Sequence, residues 1–203
     1  MKSAQRSLDL LVTKLPSPDG QVRVSTLVRE QRKGVFVSEL LLISIGSNLP
    51  DRAGRSSLEN CDRAVSRLAA HSALTLESVS PWYRTAPIPA SDQPDFINGV
   101  ARFSGLLAPA DLLSILHAIE AEAGRIRDMP NAARTLDLDL LAVGDLVIDT
   151  PRLTLPHPRL ADRAFVLFPL CDVAPTWRHP VLRHTALELR DNLPPQRIEQ
   201  LVP

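Results

Sequence analysis

The chain has little of what several common functions depend on. Aromatic residues make up 4% of its 203 positions, too few for a surface that stacks bases, and 23 Lys and Arg are balanced by 23 Asp and Glu. The basic excess of a nucleic-acid binder is therefore missing too. Cysteine occurs only as Cys61 and Cys171, with no C-x-x-C pair. That argues against a disulfide framework or a zinc site and suits a reducing compartment. No apolar run is long enough to cross a bilayer, and the N-terminus lacks the apolar centre of a secretion signal. A G-x-x-x-x-G-K-[ST] loop is absent, as is a kinase glycine loop, so any grip on phosphate has to come from arginine and metal. These absences predict a soluble, cytoplasmic protein that engages neither nucleic acid nor membrane.

What is present reads as one domain with extensions. Residues 1–39 hold no sustained period and include Pro16, Pro18 and Gly20; they are expected to be a poorly ordered extension, with alternation only from Gln21 to Arg29. The body, residues 40–178, opens with the apolar run Leu40 to Ile45, a buried strand ending at Gly46. Leu58, Cys61, Val65 and Leu68 recur at helical spacing and predict a helix over 54–70. Leu74 to Thr85 and Phe96 to Ser104 read as strands. Pro109 and Gly124 bracket a helix whose Leu112, Leu116, Ile119 and Ala123 share one face. Thr135 to Val143 completes the order β-α-β-β-α-β, a ferredoxin-like α+β core. Residues 151–158 are expected to be irregular, Phe165 to Leu170 to pack back on the core, and residues 179–203 to form a C-terminal tail around one short helix.

The most informative stretch is Arg134-Thr135-Leu136-Asp137-Leu138-Asp139. On a strand, successive side chains alternate faces, so Thr135, Asp137 and Asp139 share one side and Leu136, Leu138 and Leu140 the other. Two carboxylates that close repel unless a cation lies between them, and hard oxygen ligands suit Mg²⁺. An exposed, solvated strand is the other reading of that pattern taken alone. Arginine is concentrated around it, with Arg125 and Arg127 before and Arg152, Arg159 and Arg163 after. Guanidinium forks grip phosphate oxygens in bidentate fashion, which suggests a nucleotide polyphosphate.

Further candidates stand nearby. His157 lies between Pro156 and Pro158, which stiffen its presentation beside Arg152 and Thr154. Phe96 and Asn98 are two apart on a strand and point the same way, so a ring and an amide could stack on a flat heterocycle and read its edge. Gly46-Ser47-Asn48 forms a short polar loop of the kind that lines sites.

Taken in order, Gly46-Ser47-Asn48-Leu49, Tyr83-Arg84-Thr85, Asp92 to Asn98, Glu120 with Gly124-Arg125-Ile126-Arg127, Arg134 to Asp139, Pro156-His157-Pro158-Arg159 and Arg163 to Leu167 resemble the 6-hydroxymethyl-7,8-dihydropterin pyrophosphokinases of folate biosynthesis. The resemblance spans residues 41–175 and implies a monomeric ATP-dependent diphosphotransferase acting on small molecules. It makes Asp137 and Asp139 the ligands of two Mg²⁺ ions. Thr85, Ala86, Ile88, Phe96, Asn98 and Phe165 would form the pterin slot, with Gly46 and Asn48 beside it. The co-substrate ATP would be held by Glu120, Arg125, Arg127 and Arg134, and by Arg152, Thr154, His157 and Arg163 on the other side. Arg125 and Arg134 would also meet charge on the transferred group.

One departure bears on rate. The family usually carries Trp-Gly-Pro directly before the arginine, in a lid; here the chain reads Asp128 to Ala133 with no aromatic residue. Losing such a ring forfeits about 0.5–1.5 kcal/mol beyond area burial, enough to weaken closure without abolishing chemistry. A relative that binds nucleotide or pterin but has lost turnover is therefore the competing expectation.

Overall fold

The computed structural model describes residues 12–16, 22–26, 39–125 and 133–202. Near the N-terminus, β1 (Val12–Pro16) pairs antiparallel with β2 (Val22–Thr26). β2 falls inside the alternating stretch 21–29, whereas β1 had no periodic signal; the remaining N-terminal residues, including most of the expected extension, lie outside the described residues.

The central strand is β3 (Glu39–Ser47), buried from Leu41 to Ser47. Its residues Leu40 to Ile45 read as an apolar run broken only by Ser44 because both faces of the sheet are covered. Leu41, Ile43 and Ile45 join one core cluster and Leu42 the other, all fully buried. Each such side chain contributes about 1.5–3 kcal/mol relative to exposure.

One face is covered by α1 (Ser57–Ala69) and α2 (Pro109–Glu122). A capping box starts α1: the Ser56 hydroxyl accepts the Glu59 N–H, and the Glu59 carboxylate accepts the Ser56 N–H at 2.7 Å. Pro109 opens α2 where its missing N–H costs nothing, and Gly124 follows its end at φ +81°.

β6 (Phe96–Gly105) and β7 (Asp137–Val143) flank β3, both antiparallel. The single strand expected over residues 74–85 is two, β4 (Leu74–Val79) and β5 (Tyr83–Thr85), each paired with β6. Pro81 has no N–H to donate to the ladder, and at the break the Val100 N–H is satisfied instead by the Ser80 hydroxyl, which accepts it at 3.0 Å. Trp82 then packs flat on Gly99, where a Cβ would come within 2.5 Å of the indole ring.

After β7, β8 (Ile148–Asp149) pairs with β9 (Thr154–Leu155) in a two-stranded ribbon, and only β9 falls in the segment 151–158 expected to be irregular. The residues that pack back form α3 (Ala164–Val173), which with α4 (Ala186–Asp191) covers the second face through Val166, Leu167, Leu170 and Leu189.

Residues 179–203 are not a loose tail. β10 (Ile198–Gln200) pairs with β5, so the sheet runs β10-β5-β6-β3-β7 with β4 on β6 beside β5. The four helices therefore sandwich a mixed-connection, antiparallel sheet. Among the described residues no helix is long and apolar enough to cross a membrane.

Candidate active site

The site grows from the alternation of β7. Leu138 and Leu140 are 2% and 3% exposed in the core, so Asp137 and Asp139 face the opposite side, toward α3. Register brings other elements alongside: Asp137 lies opposite Gly46 of β3, and Gly46 lies opposite Asn98 of β6. With no side chain at 46, a gap separates the carboxylate from the amide. A Cβ there would sit 3.0 Å from Asn98 Oδ1 and 3.9 Å from Asp137 Cβ. Asn98 is itself fixed, since its Nδ2 donates to Thr85 Oγ1 at 2.8 Å.

The backbone leading into β7 is stapled to the loop after β3. Ser47 Oγ donates to the Thr135 carbonyl at 2.7 Å, and the N–H groups of Asn48 and Leu49 donate to the Arg134 carbonyl. Thr135 and Leu136 precede β7 rather than opening it.

Asp137 is the electrostatic centre. Arg125 contacts its Oδ1 at 2.5 Å, Arg134 pairs with its Oδ2, and Arg125 also pairs with Glu120, which is 1% exposed and accepts the Leu138 N–H at 2.8 Å. Asp139 has fewer partners. Burial first, and the neighbouring Asp137 charge second, push its carboxyl above the usual carboxylate range, against the pull of His157, Arg163 and Arg125. His157 Nε2 stands 3.9 Å from Asp139 Oδ2, and its Nδ1 accepts the Arg159 N–H at 3.2 Å, so the remaining proton of a neutral ring sits on Nε2. Burial lowers the basicity of His157, partly offset by Asp139.

These donors fit a hard divalent cation. Asp137 Oδ1 is buried and accepts no hydrogen bond, having only the ion-pair contact with Arg125, and Asp139 is short of positive charge. Among the described residues no group of three or more His, Cys, Asp or Glu is placed to hold a metal ion. A pair of carboxylates suits Mg²⁺, which takes one or two carboxylates and completes its shell with phosphate and water.

Two cavities meet at this pair. The first, about 290 Å³, is lined by Glu120, Arg125, Asp139, Arg152, Thr154 and His157, with His117 and Leu153 among its other walls. The second, about 250 Å³, is lined by Gly46, Thr85, Ala86, Ile88, Phe96, Asn98 and Phe165, together with Arg134, Asp137 and Arg163. Arg125 and Asp139 line both. Of the expected site residues, Asn48 is 2% exposed and lines neither, and Arg127 lies outside the described residues.

His117 and Gln196 carried no motif, and Gln93, within the matching stretch Asp92 to Asn98, had no assigned role. His117 is one helical turn from Glu120, a spacing that could have placed it on the same face of α2. Gln196 had no signal at all: from beyond α4 it accepts the Ala164 N–H at 3.0 Å and donates to the Asp162 carbonyl at 3.1 Å. It thereby fixes the first turn of α3, where Arg163 lies 5.1 Å over the Phe165 ring.

Residues 42–175 match the sequence profile of 7,8-dihydro-6-hydroxymethylpterin-pyrophosphokinase, HPPK. The chain belongs to this family. A Pseudomonas aeruginosa 2-amino-4-hydroxy-6-hydroxymethyldihydropteridine pyrophosphokinase is 45% identical over 159 residues, which cover 78% of this chain and 94% of that protein. A Synechocystis enzyme of the same name is 42% identical over 65% of this chain and 67% of its own length. A Schizosaccharomyces pombe folic acid synthesis protein is 35% identical over 79% of this chain but only 21% of itself. Among solved structures, a Plasmodium falciparum HPPK-DHPS triple mutant with pteroate superposes with TM-score 0.58 over 76% of this chain and 41% of that one. At 13% identity that match speaks to fold alone. HPPK-like architecture and the paired cavities thus occur in one chain.

Proposed function

We propose that this chain transfers the terminal two phosphates of ATP, as one unit, to the hydroxymethyl oxygen of 6-hydroxymethyl-7,8-dihydropterin, giving AMP and the pterin diphosphate in folate biosynthesis. The observation that carries the reading is Asp139 and Arg125 at the wall shared by two cavities, one of them lined by Phe96 and Phe165, with Asp137 beside them in that second cavity. In the step, the pterin oxygen bonds to the β-phosphorus, the bond from that phosphorus to the α-bridging oxygen breaks, and the hydroxyl proton is lost. Such displacement needs alignment and charge neutralisation more than covalent help.

ATP is assigned to the cavity lined by Glu120, Arg125, Arg152, Thr154 and His157, with Arg134 and Arg163 meeting its phosphates from the neighbouring cavity and Arg127, outside the described residues, assigned to ATP from the sequence alone. The pterin is assigned to the slot between Phe96 and Phe165, its edge read by Asn98 and Thr85 and its sides bounded by Gly46, Ala86 and Ile88, with Asn48 buried behind it rather than in contact. Asp137 and Asp139 would hold two Mg²⁺ ions, which when bound would neutralise and orient the phosphates. Arg125 and Arg134, paired with Asp137 here, would meet charge on the transferred group.

The strand order β7-β3-β6-β4/β5, with one helix in each crossover on a single face, supports a ferredoxin-like core. The catalytic unit is assigned to residues 40–178, with β10 on its sheet edge and Gln196 against the first turn of α3, and residues 1–39 are assigned to an N-terminal extension.

Purified protein incubated with ATP and Mg²⁺ is expected to release AMP only when hydroxymethyldihydropterin is added. Binding of both substrates without AMP would refute the activity in favour of a relative that has lost turnover.

A further inference from the structure

Asn48 is buried, touches neither cavity, and uses its amide in two directions. Its Nδ2 donates to Gln93 Oε1 at 3.2 Å and to the Pro94 carbonyl at 3.1 Å. Gln93 lines the aromatic cavity, at the end of the loop that carries Ile88. Its Oδ1 accepts the Arg134 N–H at 2.7 Å, while its own N–H donates to the Arg134 carbonyl at 3.0 Å. Arg134 is thus gripped on both sides of its backbone by one residue, and its guanidinium rests on Asp137.

The loop around Asn48 has little freedom to absorb a shift. Leu49 also donates to the Arg134 carbonyl, at 3.2 Å, and the Leu49 carbonyl accepts from Asn60 Nδ2 of α1 at 3.2 Å. Movement of the 86–94 loop therefore reaches Arg134 through a short, fully paired amide rather than through solvent. A carboxamide suits this place because it alone offers a donor and an acceptor on one rigid plane.

We infer that Asn48 is a positioning residue that couples the two cavities: engagement of a flat heterocycle by the 86–94 loop sets Arg134 over the phosphates, and nucleotide on Arg134 in turn favours the closed loop. Coupling of this kind is reciprocal, so each ligand strengthens the other by the same factor. The inference rests on the pyrophosphokinase reading and assigns Asn48 a role other than contact with the pterin.

The test is calorimetry of hydroxymethyldihydropterin on wild-type, Asn48→Ala and Asn48→Asp proteins, with and without Mg²⁺ and a non-hydrolysable ATP analogue, beside AMP formation by the wild type. The coupling factor is the pterin Kd without nucleotide divided by that with it. Asn48→Ala is expected to leave the pterin Kd measured alone within about threefold and to lower the coupling factor roughly two- to tenfold, the range carried by one buried neutral hydrogen bond. Asn48→Asp keeps an acceptor for the Arg134 N–H but loses both donor hydrogens. It is isosteric, carries the test if the Ala variant fails to fold, and should fall between wild type and Ala. An unchanged coupling factor in either folded variant, a loss confined to the pterin Kd measured alone, or no coupling in the wild type overturns the inference. AMP release by the wild type together with full coupling in the variants refutes the link alone; tight, coupled binding without AMP refutes the functional reading alone.

Discussion

Substituting Gly46 by alanine is a direct probe of how the aromatic cavity reads its ligand. The new methyl would come 3.0 Å from Asn98 Oδ1, some 0.4 Å inside ordinary contact, while Asp137 Cβ and the Ile97 carbonyl, at 3.9 and 4.0 Å, are at comfortable distances. Asn98 must yield, yet its Nδ2 is tied to Thr85 Oγ1 at 2.8 Å and its backbone is paired within the sheet. Yielding therefore stretches or tilts that hydrogen bond and turns the amide that would meet the heterocycle. Losing most of one such bond costs about 0.5–1.5 kcal/mol, which corresponds to roughly a two- to twelvefold weaker pterin Kd. Gly46 is not at positive φ, so the alanine adds no backbone strain and the thermal midpoint should stay within a few degrees of wild type. Calorimetry with pterin and with a non-hydrolysable ATP analogue separates the effects, because the methyl lies toward Asn98 and away from Arg152, Thr154 and His157. An unchanged pterin Kd, or a loss in nucleotide affinity equal to the loss in pterin affinity, would show that the gap at Gly46 is not a ligand edge.

The core was legible because its periodicities are strong. The run Leu41 to Ile45, broken only by Ser44, demanded a strand covered on both faces, and the covering clusters supply that. Proline and glycine marked α2 correctly because they act through local backbone rules. What stayed hidden depends on distant partners. β10 is three residues long, and Ile198-Glu199-Gln200 has no pattern of its own; it is a strand because β5 leaves an open edge for it. The break between β4 and β5 was foreshadowed by Pro81 but depended on the Ser80 hydroxyl to hold the interrupted ladder.

The site divides in the same way. Asp137 and Asp139 were visible because alternation fixes which face they share, and Phe96 and Asn98 for the same reason. That Arg125 serves Glu120 and Asp137 at once, or that Asn48 spans two loops instead of lining a pocket, follows from three-dimensional register that a linear motif does not encode. The altered stretch from Asp128 to Ala132 lies outside the described residues, so the sequence difference there remains an expectation about rate.

Three other perturbations test separate links. Asp139→Ala is expected to keep the thermal midpoint, since it removes a partly exposed carboxyl that Asp137 repels, while abolishing Mg²⁺-dependent AMP release and weakening Mg²⁺ binding measured directly with the ATP analogue; normal Mg²⁺ dependence would contradict the metal assignment. Arg134→Ala should lower kcat at least tenfold more than it weakens ATP-analogue binding, and equal losses would make Arg134 a plain binding group. The third concerns stability rather than chemistry. His179 is 7% exposed, and its Nδ1 accepts the N–H groups of Val181 at 3.2 Å and Leu182 at 3.1 Å, so it folds in the neutral form. Burial holds its pKa below the ordinary 6.5. The unfolded chain therefore binds this proton more readily than the folded one. The contribution to stability is complete above pH 6.5 and is lost progressively as pH falls from there through the lowered folded value. Denaturant unfolding at pH 7.5 and 5.5 should show that loss, and His179→Gln, which cannot titrate, should be less stable at pH 7.5 and should lose less between the two. An identical pH slope in the variant would assign the acid sensitivity elsewhere, to His157 before any other group, since its basicity is also lowered by burial.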